Sequence, residues 1–294
     1  MTECMTGKLS MKIAITAGVM IMVVAIGVTP ATAQAFSVSY DDIEFVVSPG
    51  DTFVAALLVT NLSEENQTLQ VYSGDWVRVP GQTSGYEFHD ENGNEPRSFL
   101  EWMTYSPQRL ELEPGEEAEV YCEVAVPLDP ELEGSFWSVI FIEGVPSEEA
   151  QIPFGDEEEM NVGISTVFRY AVQIFATIEG TEVREATFNA MEFRQMEGGF
   201  DVVAVMENTG NIFMRPEVWL EIHNTEGRLV WEQEHVRQTI LPESAREYVF
   251  ELRELPLESG TYLVMVIANY GVPQLIAAQG RIDISAEESV QGEQ

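Results

Sequence analysis

The sequence predicts an all-β protein built of two tandem antiparallel β-sandwiches. Three observations predict it. Nearly every segment after Ala35 alternates apolar and polar residues with a period of two. Gly, Pro, Asn and Asp punctuate these runs at short intervals, and no stretch carries a long 3.6-residue period. The order of signals then occurs a second time. Strands in this number without βαβ alternation close into sandwiches. The 294-residue length is too great for one small module and fits two domains.

Taken in order, the chain begins with a targeting signal. Lys8 and Lys12 precede an apolar run from Ile13 to Val28, Pro30 breaks it, and Ala31-Thr32-Ala33-Gln34-Ala35 follows. This is the pattern of a signal peptide over residues 1–35, cut after Ala35 or, alternatively, Ala33. The run is 16 residues, short for a membrane span of about 20. The mature chain is expected in the periplasm or outside the cell, at the surface or secreted, with no further membrane span.

Residues 36–180 are read as the first domain, with strands FVAALLVTN (53–61), TLQVYSGDWVRV (68–79), AEVYCEVAVP (118–127) and SFWSVIFIEG (135–144). An acidic, strand-poor loop follows at 147–159, then one long strand-like run, NVGISTVFRYAVQIFATIEG, from Asn161 to Gly180. At about 3.3 Å per residue that run crosses a whole sheet. Residues 181–285 are read as the second domain, with strands FDVVAVMEN (200–208), EVWLEIHN (217–224), REYVFEL (246–252) and TYLVMVIANYG (261–271), before a polar tail at 286–294.

The halves echo one another. Val59-Thr60-Asn61 ends a strand ahead of a polar turn, and Met206-Glu207-Asn208 does the same. Leu112-Glu113-Pro114-Gly115-Glu116 precedes a strand, as does Leu241-Pro242-Glu243-Ser244. Gly134-Ser135-Phe136 and Gly260-Thr261-Tyr262 each open a late apolar strand. The reading is one sandwich used twice.

Composition excludes several functions. Fifty Asp and Glu oppose 14 Lys and Arg, a net charge of −36. Such a surface repels phosphate backbones, so no nucleic-acid partner is expected. Two Cys and three His leave little for a metal cluster. Beyond residue 35 Cys122 stands alone, and its alternating neighbours mark it as a small core residue. Lys8 and Lys12 are the only lysines, so the mature chain carries 12 Arg and none. High salt and codon bias both account for that balance.

Enzyme motifs are missing: no G-x-S-x-G, H-E-x-x-H, P-loop or G-x-G-x-x-G occurs. Neither catalytic residues nor a cofactor or metal is expected. His89-Asp90-Glu91-Asn92-Gly93-Asn94-Glu95 offers oxygen ligands, but a calcium loop needs Gly where Glu95 stands, and Asn92-Gly93 reads as a hairpin turn. Trp76, Trp137 and Trp219 fall in alternating runs and read as core rather than as sugar platforms.

Three strings carry a resemblance. SPGDTFVAALLVTNLSEENQTLQVYSGDW resembles the N-terminal strands of the periplasmic pilus (fimbrial) chaperones, the PapD-like superfamily. TYSPQRLELEPGEEAEVYCEVAVP resembles their P-x-x-h-x-L-x-P-G stretch, and NVGISTVFRYAVQIFATIEG the long last strand of their first domain, which holds the client. The resemblance implies a divergent member with two immunoglobulin-like (PapD-like) domains, a chaperone-like role in pilus assembly, and a secreted or envelope subunit as partner. The family anchors its client's terminal carboxylate with an Arg near the first strand and a Lys on the long one. Here no Arg precedes Arg78, and Ala171 stands where that Lys would lie, with Arg169 two residues earlier. That chemistry is absent or rebuilt.

The mechanism these residues suggest is β-strand addition along 161–178. One face reads Val162, Ile164, Thr166, Phe168, Tyr170, Val172, Ile174. An apolar stripe at an edge needs a cover. The expected partner-binding residues are Val162, Ile164, Phe168, Arg169, Tyr170, Val172 and Ile174. Sandwich strands also pack such faces into their own core. The alternative is a structural cell-surface protein of two immunoglobulin-like domains, binding an envelope protein or polymer without chaperone activity.

Overall fold

The computed structural model describes residues 35–78, 85–89, 95–146 and 167–284. Five expectations lie outside the described residues: the signal segment up to residue 34, the Asn92-Gly93 turn, the 147–159 loop, strand residues 161–166 and the 286–294 tail.

Strand alternation builds two facing sheets in the first half. One has the order β1-β3-β8-β6, from β1 (Phe36–Val38), β3 (Thr52–Asn61), β8 (Glu117–Ala125) and β6 (Met103–Ser106). The other runs β2-β10-β9-β4-β5, from β2 (Asp42–Val47), β10 (Arg169–Ile178), β9 (Ser135–Gly144), β4 (Gln67–Arg78) and β5 (Tyr86–His89), with β7 (Arg109–Leu112) on β4. Leu57 and Val59 of β3 and Val120, Cys122 and Val124 of β8 point inward, against Ile140 and Ile142 of β9 and Val172 and Ile174 of β10. Each such side chain contributes about 1.5–3 kcal/mol by leaving water. Burial pushes the Cys122 thiol up to about 12, so it is a core residue and not a thiolate.

The second half repeats the plan. β11 (Ala186–Met196), β12 (Gly199–Asn208) and β15 (Ala245–Arg253) form one sheet; β14 (Leu229–Glu234), β13 (Glu217–His223), β16 (Gly260–Asn269) and β17 (Ile276–Ile284) form the other, in those orders. Leu220, Ile222, Tyr248, Phe250, Val264 and Val266 fill the space between.

The sequence echo is a structural repeat down to single hydrogen bonds. Asn61 ends β3, and its amide donates to the carbonyls of Glu65 (2.8 Å), Leu112 (3.0 Å) and Glu113 (3.1 Å). Asn208 ends β12 and donates to Ile212 (2.8 Å) and Ile240 (3.2 Å). The Asn61 N–H bonds the Glu116 carbonyl and Gly115 N–H bonds the Asn61 carbonyl; Asn208, Ser244 and Glu243 repeat both bonds. The turn needs a left-handed residue, supplied by Gly115 at φ 74° and by Glu243 at φ 57°.

A third apolar cluster joins the halves. Trp76, Trp137, Phe141 and Phe175 lie on the face of the β2-β10-β9-β4-β5 sheet turned away from its own core, against Phe213 and Leu241 of the second half. Trp76 and Trp137 are therefore core residues, as read; Trp219 is half-buried.

Candidate functional site

β10 gains its special position because the chain changes sheets between β1 and β2. β1 pairs with β3 in one sheet. The chain then bends at Ser39, whose N–H donates to Leu58 (3.0 Å), and enters the other sheet as β2. β2 pairs parallel with β10, but only from Gln173 to Ile178. β9 covers the opposite side of β10 from Arg169 to Thr177.

The stretch of β10 before Gln173 therefore has a strand on one side only among the described residues. Hydrogen bonds fix which groups face the open side. Gly144 N–H donates to the Phe168 carbonyl, so Phe168, Tyr170 and Val172 turn their backbone groups toward β9. Gln173 N–H donates to the Asp41 carbonyl on the other side. By alternation, Ala171 points its N–H and C=O the same way as Gln173, past the start of β2.

The expected site residues divide by face. Val172 and Ile174 are 1 % and 0 % exposed and belong to the core of their own sandwich. They support the strand from beneath and offer a partner no side-chain surface. The apolar stripe recognised in the sequence is satisfied internally from position 172 onward, because alternation marks a buried face without saying what buries it. Phe168 and Tyr170 are half-buried at the rim of that core, and the Tyr170 ring lies 5.3 Å from Phe36. Val162 and Ile164 lie outside the described residues.

Arg169 occupies the other face. Its guanidinium sits 4.7 Å from the Phe141 ring centroid and 5.7 Å from that of Phe88. It also reaches the Tyr72 hydroxyl at 3.4 Å. That hydroxyl donates to Glu143. Desolvation, aided by Glu143, raises the Tyr72 pKa, so Tyr72 stays a neutral donor. Arg169 is thereby held flat against the sheet beside the open edge.

The sequence reading missed a second feature. A cavity of about 510 Å³ lies between the sandwiches, lined by Glu44, Phe45 and Thr177 from the first and Arg184, Arg215 and Arg237 among others. Arg215 spans it: it donates to Asp42 (2.6 Å), Glu44 and Thr239 (3.0 Å). Its guanidinium also lies 5.3 Å from the Phe175 centroid and 5.5 Å from Phe213. Arg237 pairs with Glu217. Among the described residues no group of three or more His, Cys, Asp or Glu is placed to hold a metal, and no helix is long and apolar enough to cross a membrane.

No family model matches the chain, and no curated protein matches it. Solved structures do match over most of its length. The chain is similar to fimbrial chaperones. The class 5 fimbriae chaperone CfaA aligns with a TM-score of 0.43 and 14 % identity, over 83 % of this chain and 98 % of that one. The Pseudomonas aeruginosa CupB2 chaperone aligns at 0.41 and 14 %, over 85 % and 100 %. A chain of the CsuC–CsuE chaperone-tip adhesion subunit pre-assembly complex of Acinetobacter baumannii aligns at 0.43 and 11 %, over 82 % and 97 %. The likeness is one of fold, two immunoglobulin-like sandwiches in tandem.

Proposed function

We propose that this chain is a non-enzymatic, extracytoplasmic binding protein that holds an extended segment of a secreted or envelope subunit by strand addition at the β10 edge before Gln173. One observation carries the reading: Ala171 presents its backbone N–H and C=O where β9 lies behind and β2 has not yet begun. Main-chain hydrogen bonds from such an edge supply affinity, and flanking side chains supply selectivity. Phe168 and Tyr170 on one face and Arg169 on the other flank that edge; Val172 and Ile174 stiffen it from the core side. Chaperone-like service to pilus subunits is the role that the resemblance suggests.

The reading is tested by capture from the native envelope fraction with tagged residues 36–294, wild type against Ala171→Pro. Proline removes an outward N–H at a strand edge, a position where the fold tolerates it. Wild type is expected to capture a secreted subunit, and the variant, folded by circular dichroism, to capture about fivefold less, the worth of one such bond at about 1 kcal/mol. Equal capture contradicts strand addition at this edge.

A further inference from the structure

The open edge ends at Gln173 because β2 starts there, and β2 is a lightly held strand. It has six residues, pairs with β10 alone among the described residues, and buries just Val47 fully. Ile43 and Phe45 point toward the core of the first sandwich, so Asp42 and Glu44 point the opposite way. Both carboxylates meet a single guanidinium, that of Arg215 in the second sandwich.

Arg215 is well placed for this. Nη2 takes Asp42, Nη1 takes Glu44, and Nε takes the Thr239 hydroxyl, which lies in its own sandwich. A planar fork with several fixed donors suits this geometry, and a point-charge ammonium does not. Phe175 of β10 and Phe213 stack at 4.2 Å and place their rings beside the guanidinium. Phe175 thus ties the latch to the strand whose edge it delimits.

We infer that Arg215 is a positioning residue for the strand-addition edge: by holding Asp42 and Glu44 it keeps β2 on β10 up to Gln173, and so sets where an added strand must stop. The inference rests on the proposed function for its meaning and adds a role for the second sandwich. With the latch in place, an incoming strand pairs before Gln173 and cannot slide toward the cleft. With the latch released, the first residues of β2 peel away, and the edge lengthens past Gln173.

The test needs no partner, so its outcome is independent of whether any subunit is captured. Amide hydrogen exchange is read residue by residue on residues 36–294 for wild type, Arg215→Gln, Arg215→Lys and Asp42→Asn/Glu44→Gln. The last variant leaves the second sandwich untouched and so guards against a general disturbance of that sandwich by Arg215→Gln. Gln173 and the β2 amides are expected to exchange at least about tenfold faster in Arg215→Gln and in the double variant, as local opening predicts. Arg215→Lys is expected to fall between, and β13 and β16 to keep wild-type rates. Wild-type protection of Gln173 and β2 in both variants overturns the inference, as does a loss spread evenly over both sandwiches.

Discussion

Asp75 shows how one residue writes a pH dependence into this fold. It is fully buried on β4, and its Oδ1 lies 2.7 Å from the Ser98 hydroxyl and 3.1 Å from that of Ser138. Its Oδ2 accepts no hydrogen bond among the described residues. Desolvation outweighs the two hydroxyls and raises the carboxyl pKa above its ordinary range. Between the ordinary and the raised value, the native state binds more proton than the unfolded one. Stability from this group therefore rises as pH falls through the native pKa. Asp75→Asn, which removes the charge and keeps the shape, should be more stable than wild type at neutral pH by denaturant titration. That gap should shrink as pH drops through the window, and a gap constant with pH would exclude Asp75 as its origin. Nothing in SGDWV marks Asp75 as buried, because its neighbours in the chain do not reveal that Ser98 and Ser138 come to it.

At the scale of elements, the strand-end asparagines carry the repeat. Each clasps the turn that leads into a distant strand, Asn61 through Leu112 and Asn208 through Ile240. Truncating either leaves buried carbonyls without their donor. Asn61→Ala and Asn208→Ala should each cost on the order of 2–3 kcal/mol in chemical unfolding, and the costs should add because the sites share no partner. A cost under about 0.5 kcal/mol, the range of a neutral surface change, would show that the clasps are incidental. These clasps were legible in the sequence as Asn61 and Asn208 followed later by Leu-x-Pro and Leu-Pro, since turn chemistry is local. β2 and β17 were not: DIEFVV is short, and IAAQGRIDI has too little apolar content to declare itself a strand. Nor does alternation show that β2 pairs parallel with a strand 131 residues later, Asp42 with Gln173. The edge of β10 depends on that long-range pairing, so the strand could be read but its open stretch could not.

For the whole molecule, two sandwiches and their shared plan follow from periodicity, whereas their junction does not. The signal for the junction was present in β9, whose SFWSVIFI is buried without a break rather than on alternate residues. A strand buried on both faces needs a cover on both, and here the outer cover includes Phe213 and Leu241 of the second sandwich. Around that apolar contact, a chain of net charge −36 places Arg215 against two carboxylates of the first sandwich. The second sandwich thus covers the outer face of this sheet and, on the function proposed above, delimits its edge. The central claim, that β10 lends its edge to another chain, is tested most directly at the Ala171 amide. Its exchange should be compared in the free protein and in the complex captured from the envelope. Rapid exchange in the free protein and protection of at least about a hundredfold in the complex, the scale of an ordered ladder bond, is the result predicted here. An Ala171 amide already protected in the free protein, or one whose exchange is unchanged in the complex, would contradict it.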